Sequence, residues 1–323
     1  MKAAIYENYG PPDVVKIVEL PIPEAKKNEI LVKVITTTVN RNDCGFRKPE
    51  YPWIIRPLHG LFKPRIQILG TEFSGIVTKC GANVSSVKPG DEIFGLTGNR
   101  FGCHAEYLTI KESGAFSLKP NHLNHIQAVS LLDGPWLAHA IIQSFNLEKS
   151  KRILIYGASG SIGSACIELA KVRGFHITAV TQEKHFERVK SLGADITTLV
   201  TDDDWKNPTQ IYDGIIDSVG KLRFKDYQKN LSSSGRWVST DLGPRNELLW
   251  LSFKSLFWSQ QKIGLAIPSL KKKTIQLFKE MSERKELQPL VDSEFPLNRI
   301  CDAYRYVEQE SKFGSVVLQV ADL

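Results

Sequence analysis

The five cysteines, Cys44, Cys80, Cys103, Cys166 and Cys301, are odd in number, widely spread and without any C-x-x-C pair. That argues against a disulfide framework and against a cysteine-rich zinc module. No stretch reaches the roughly 18 uncharged apolar residues of a membrane helix. The greasiest, residues 248–258, is interrupted by Ser252, Lys254 and Ser255. The opening MKAAIYENYGPP holds only residues 3–6 between its lysine and the first polar side chains, too little for the apolar core of a signal peptide. A reducing cytoplasm is the expected location, with no membrane span. Internal repeats are lacking. At 42% hydrophobic and 24% charged residues, with 23 Gly and 16 Pro, the collagen-like, coiled-coil and low-complexity classes drop out.

Lys and Arg exceed Asp and Glu by 42 to 35, a net charge of +7. Such a balance suits an anionic ligand, an acidic membrane surface or nucleic acid, and does not choose among them. The lysine run at 271–273 opens a helical pattern with apolar Ile275, Leu277, Phe278 and Met281. Bases and aromatics do not interleave there as on strand-binding surfaces, so a solvated helix face is expected and no nucleic-acid partner.

A chain of 323 residues has room for about two domains. Residues 14–20, 30–37, 75–79 and 105–110 are short, β-branched and bounded by Gly, Pro and Asn, which reads as a mainly β domain. From about residue 120 helical stretches alternate with apolar runs at 152–156, 176–180, 197–200, 214–216 and 236–239, with a sixth strand expected at 261–267. That alternation predicts an α/β fold, a doubly wound parallel sheet with helices on both faces. A helix to about residue 286, a helix over 297–308 and a terminal strand over 315–320 follow, and the last strand is expected to rejoin the first domain. The domains are therefore drawn as 1–119 with 287–323, and 120–286.

The stretch RILIYGASGSIGSACIELAKVRG runs an apolar strand into Gly157, Ser159, Gly160, Ser161, Ile162 and Gly163 and then into an amphipathic helix. Small residues at such a turn let the backbone approach a pyrophosphate, whose charge the helix N–H groups and dipole stabilise. Relative to G-x-G-x-x-G the first glycine position holds Ala158. At the end of the next strand an NAD site places an acid for the ribose 2′-hydroxyl; here Thr181 and Gln182 are followed by Glu183, Lys184, His185 and Arg188. Hydroxyl, amide and ammonium donors suit a 2′-phosphate, so NADP is the expected cofactor, with Glu183 the opposing sign.

With MKAAIYENYGPPDVVKIVELPIPEAKKNEILVKV, GTEFSGIVTKCGANVSSVKPGDEIFG, the loop at 157–163, SLGAD at 191–195 and IIDSVG at 215–220, the chain resembles the medium-chain dehydrogenase/reductase superfamily and, within it, the zinc-free quinone oxidoreductase-like branch. VSTDLGP at 238–244 and the insertion at 53–65 resemble a subgroup labelled NAD(P)-dependent alcohol dehydrogenase. The resemblance implies a GroES-like β domain from both ends of the chain and a Rossmann domain, with cofactor and substrate between them. It also implies a homodimer formed through the edge strand at 261–267. Where the zinc-dependent branch has its catalytic ligands, this sequence matches Asn40, Thr71 and Asp133, and of the structural-zinc cysteines only Cys103 is present. No metal is expected; Cys103 and His104, adjacent on a strand, would point to opposite faces.

Alcohol oxidation benefits from a Lewis acid, whereas reduction of an electrophilic quinone or enone needs hydride positioning and donors for the new oxyanion. NRNDCGFRKPEYP matches the family's Asn, Asp, Arg and Tyr spacing with Asn40, Asp43, Arg47 and Tyr51. Asn40 is read as a donor, Asp43 as an orienting group, Arg47 as available positive charge and Tyr51 as a phenol proton donor. Val219, Gly220, Ser239 and Thr240 are expected to line the nicotinamide half, Phe313 and Gly314 to close over it, and Asp217 to end the fourth strand at the ligand edge. His59, Trp53, Leu58, Leu61 and Phe62 belong to an insertion that would wall an apolar substrate or pack on the β domain. The expected activity is NADPH-dependent reduction of a quinone, enone or related activated carbonyl. An enoyl-thioester reductase and a non-catalytic NADPH-binding adaptor are the alternatives.

Overall fold

The computed structural model describes residues 1–50, 59–145, 151–242, 247–258, 261–265, 267–309 and 311–321. Two compact units result, Met1–Asp133 with Leu270–Leu323, and Gly134–Ser269.

In the second unit six parallel strands form one sheet among the described residues. In chain order they are Arg152–Tyr156, His176–Thr181, Ile196–Leu199, Tyr212–Asp217, Leu231–Ser239 and Lys262–Leu265, and in the sheet they run 3-2-1-4-5-6. The chain thus reverses its winding between the first and fourth strands, where Tyr156 lies beside Asp217, and ligands of doubly wound sheets bind at such a reversal. Ile153, Leu154 and Ile155 are all fully buried, the continuous apolar run that a strand covered on both faces requires. One departure from strict alternation lies between the third and fourth strands, where the connection carries only a 3₁₀ turn, Asp204–Lys206. Trp205 is buried in this connection, stacked on Tyr227 with ring centroids 5.4 Å apart.

The first unit holds a seven-stranded sheet and a two-stranded one among the described residues. Its central strand, Glu29–Val39, pairs with Glu72–Cys80, Tyr107–Lys111 and the terminal strand Ser315–Gln319. The end of the chain therefore rejoins the first unit, Val316 opposite Val39. Val32, Phe73, Ile93, Phe116 and Val316 are buried in its core.

The limits expected at 119/120 and 286/287 fall instead at 133/134 and 269/270. The helix Lys272–Glu283 belongs to the β unit because it packs on strand Ala115–Leu118: Ser117 donates to Gln276 at 2.9 Å, and Lys272 lies 4.7 Å over the Phe116 ring. The long helix His125–Ser144 starts in the same unit, its His125 carbonyl accepting from Thr36 and its ring bonded to Ser74, and passes into the second at Gly134. No helix among the described residues is long and apolar enough to cross a membrane.

Candidate active site

Strand Arg152–Tyr156 delivers Gly157 at φ +79°, a left-handed conformation that favours glycine. A Cβ there would also stand 2.1 Å from Val219 Cγ2. Gly163 is required by packing, since a Cβ would come within 2.3 Å of the Gly157 carbonyl oxygen. Gly160 differs, because a Cβ would meet nothing nearer than that same oxygen at 3.7 Å; the protein itself leaves the space in front of it open. Gly160 caps the helix Ser161–Val172 without any side-chain hydrogen bond to its first turn. Ser159, Gly160, Ser161 and Ile162 are partly exposed. An open approach over unspent N–H groups at the start of a twelve-residue helix fits a dinucleotide pyrophosphate.

The neighbouring strand ends are drawn to this loop. Gly157 and Ala158 donate to the Val180 carbonyl at 3.2 and 3.0 Å, which brings Thr181 alongside. Its hydroxyl is buried with no hydrogen-bond partner among the described residues, while Gln182, Glu183 and Lys184 are exposed. Asp217 is fully buried at the end of the fourth strand. Its Oδ1 accepts from the N–H groups of Val219 at 3.1 Å and Gly220 at 2.8 Å, and its Oδ2 from Leu222 at 2.7 Å; burial nevertheless pushes its pKa up. Thr240 N–H donates to the Asp217 carbonyl at 3.0 Å, and Ser239 Oγ accepts from Asp241 at 3.2 Å. Residues 157–163, 181, 217, 219, 220, 239 and 240 thus gather at the carboxyl ends of the first, second, fourth and fifth strands.

In the first unit Asn40 and Asp43 form a capping box at the helix Arg41–Arg47: Asn40 Oδ1 accepts from the Asp43 N–H at 3.1 Å and Asp43 Oδ2 from the Asn40 N–H at 3.0 Å. Asp43 Oδ1 also accepts from Gly70 at 2.9 Å. Burial raises the Asp43 pKa against the lowering by His104 and these N–H groups. The Asn40 amide donates to Glu72 Oε2 at 3.2 Å, as does Thr38 Oγ1 at 2.7 Å, and Thr71 Oγ1 donates to Glu72 Oε1 at 2.7 Å. Burial, with Asp133 and Asp43 adding, pushes the Glu72 carboxyl up to about 8. Asp133 in turn faces Lys312 Nζ at 3.8 Å. Sequence reasoning missed Glu72 and Lys312; an acid inside the otherwise uncharged TEFSGIV was the available sign for the first, and nothing local marked the second.

Other expectations meet different surroundings. Arg47, expected as available positive charge, is fully buried, its guanidinium donating to Glu308 and to the Gly10 carbonyl. Phe313 is buried and its N–H donates to Asp292 at 2.6 Å. Gly314, at φ +90°, is fixed by close approach to the Leu290 carbonyl. His59 packs edge-on against Phe46 at 4.7 Å, whereas Leu61 and Phe62 are exposed. Tyr51, Trp53 and Leu58 lie outside the described residues.

Zinc does not fit the residues at the three matched positions. At two of the three stand an amide, Asn40, and a hydroxyl, Thr71, and zinc takes imidazole, thiolate or carboxylate ligands. Among the described residues no three His, Cys, Asp or Glu side chains are grouped to hold a metal. His104 Nε2 bonds the Thr38 carbonyl at 2.8 Å and Cys103 the Thr97 hydroxyl at 3.5 Å.

Residues 26–120 match the family model of the alcohol dehydrogenase GroES-like domain, and residues 192–318 that of a zinc-binding dehydrogenase domain. The chain is 27% identical to a chloroplastic quinone-oxidoreductase, QR1, of Triphysaria versicolor, over 99% of this chain and 98% of that protein. It is 28% identical to a chloroplastic NADPH-dependent alkenal/one oxidoreductase of Arabidopsis thaliana, over 98% of this chain and 79% of that one. The fold is shared with a quinone oxidoreductase from Coxiella burnetii at TM-score 0.88 and 24% identity, covering 99% of each chain.

Proposed function

Because the chain belongs to the medium-chain dehydrogenase/reductase superfamily, as an oxidoreductase of its quinone oxidoreductase-like group, we propose that it transfers hydride from NADPH to a quinone, an enone or a related activated carbonyl. The observation that carries this reading is the cluster around Glu72, in which amide, hydroxyl and carboxyl groups stand at the positions matched to metal ligands. Hydrogen-bond donors without a Lewis acid suit the reduction of an already electrophilic substrate, whose new oxyanion they stabilise. The names of the Triphysaria and Arabidopsis relatives agree with it.

When bound, the nicotinamide would supply the hydride. Residues 157–163 would hold the pyrophosphate on open backbone N–H groups, and Thr181, Gln182 and Lys184 the 2′-phosphate. Val219, Gly220, Ser239 and Thr240 would line the nicotinamide half. Asn40 and Asp43 would shape the reacting end, and Tyr51 would donate a hydrogen bond to the oxyanion. A homodimer through the edge strand Lys262–Leu265 belongs to the same proposal.

The test is steady NADPH consumption across a panel of quinones, enones and enoyl thioesters. Turnover confined to the thioesters would move the assignment to an enoyl-thioester reductase, and tight NADPH binding without turnover on any would leave an adaptor. Lys184→Glu is expected to weaken NADPH far more than NADH, by roughly 10–150-fold, since a charge-assisted contact contributes ~1.5–3 kcal/mol. Equal affinity of the native protein for NADH and NADPH would end the NADP assignment. Chelator is expected to leave turnover unchanged, and elemental analysis to find no stoichiometric zinc; one tightly held zinc per chain would overturn metal independence.

A further inference from the structure

Glu72 is only 2% exposed, and its two carboxyl oxygens are unequally engaged. Oε2 receives Thr38 Oγ1 at 2.7 Å and Asn40 Nδ2 at 3.2 Å, whereas Oε1 receives, among the described residues, Thr71 Oγ1 alone, at 2.7 Å. The titratable groups around it are the carboxyls of Asp133 and Asp43 and the thiol of Cys103, which burial keeps neutral. Behind them stand His104, 4.0 Å from Asp43, and Lys312, 3.8 Å from Asp133. Asp133 Oδ2 is itself buried without a hydrogen bond among the described residues. Two acids crowd the carboxyl in a buried setting, and burial and like charge both favour its protonated form. A protonated carboxyl has one hydrogen to donate. With both Oε2 lone pairs taken, that hydrogen belongs on Oε1, opposite Thr71. The Thr71 hydroxyl then accepts from Glu72, and its own hydrogen is released for another acceptor.

We propose that Thr71 and Glu72 form a proton relay that protonates the oxyanion created during reduction. The inference rests on the hydride transfer proposed above. Hydride brings two electrons to the β-carbon of an enone and leaves negative charge on the enolate oxygen. The Thr71 Oγ1–H bond breaks as the enol O–H forms, and the Glu72 Oε1–H bond breaks as the Thr71 hydroxyl is restored. Glu72 is left a carboxylate with Thr38, Asn40 and Thr71 donating to it. It recovers a proton from solvent after the enol, which tautomerises in water, has left.

Infrared difference spectra of the full chain against Glu72→Gln test the stored proton without any substrate. A protonated-carboxyl band is expected at neutral pH, titrating near 8 and missing from the variant; its absence from the native protein would overturn the relay. With NADPH and an enone, Glu72→Gln and Thr71→Val are each expected to lower turnover by about 100-fold, the scale of general acid catalysis. Thr71→Ser should restore it. The native decline in enone turnover above about pH 8 should vanish in Glu72→Gln, and quinones, whose reduced anion water protonates, should be affected far less. Enone turnover and pH profile unchanged in both Glu72→Gln and Thr71→Val would sink the relay while leaving the reductase standing. A native protein that reduces neither enones nor quinones would instead remove the reduction itself.

Discussion

Arg47→Ala is expected to lower stability by about 3 kcal/mol, near the lower end of the cost of removing one partner of a buried ion pair, while NADPH affinity stays unchanged. The side chain is fully buried at the last turn of the helix Arg41–Arg47. Its guanidinium donates to the Gly10 carbonyl and to Glu308, and lies 4.9 Å from the centre of the Tyr304 ring. Truncation leaves the carbonyl without its donor, a void beside a buried tyrosine, and a carboxylate that keeps, among the described residues, only Lys48, at 3.1 Å. That surviving partner, with the partial exposure of Glu308, 23%, is why the lower end applies. Lysine is no substitute, because two acceptors in different directions need the planar fork. Urea unfolding followed by fluorescence reads the shift, and NADPH titration reads the other unit. A native midpoint combined with lost turnover would return Arg47 to the reacting end, where the spacing of Asn40, Asp43, Arg47 and Tyr51 first put it.

That spacing shows where local pattern stops being informative. A run such as residues 152–156 is apolar on both sides and bounded by a glycine turn, so it reads as a buried parallel strand and is one, Arg152–Tyr156. The capping box of Asn40 and Asp43 lies within a single turn and is legible in the same way. The partner of Arg47 stands 261 positions away, and no local pattern announces whether an arginine reaches solvent, a ligand or a distant glutamate. The domain limits slipped for a related reason. Periodicity marks Lys272–Glu283 as an amphipathic helix but is silent about which sheet its apolar face meets. Glu72 was overlooked because its importance comes from burial and from three donors converging on it, two of them more than 30 positions away.

Asp217→Ala is expected to have the larger consequence for the cofactor, lowering stability by at least about 3 kcal/mol and abolishing measurable NADPH binding. The N–H groups of Val219, Gly220 and Leu222 all end on this one carboxylate, and each buried donor left unmet costs about 1–3 kcal/mol. Their loop abuts the glycine turn so closely that Val219 leaves no room for a side chain at Gly157. Releasing the loop therefore disturbs the surface on which the pyrophosphate is proposed to rest. Asp217→Asn separates shape from charge. Its amide oxygen can stay on Val219 and Gly220, but its NH₂ then faces the Leu222 N–H, donor against donor, and that single conflict should cost about 1–3 kcal/mol. Stability by urea unfolding and NADPH affinity by titration should both rank native above Asn above Ala. If Asn and Ala both unfold at the native midpoint and bind NADPH as the native protein does, the loop holds its shape without Asp217, and the carboxylate's role must lie in contact with the ligand or nowhere.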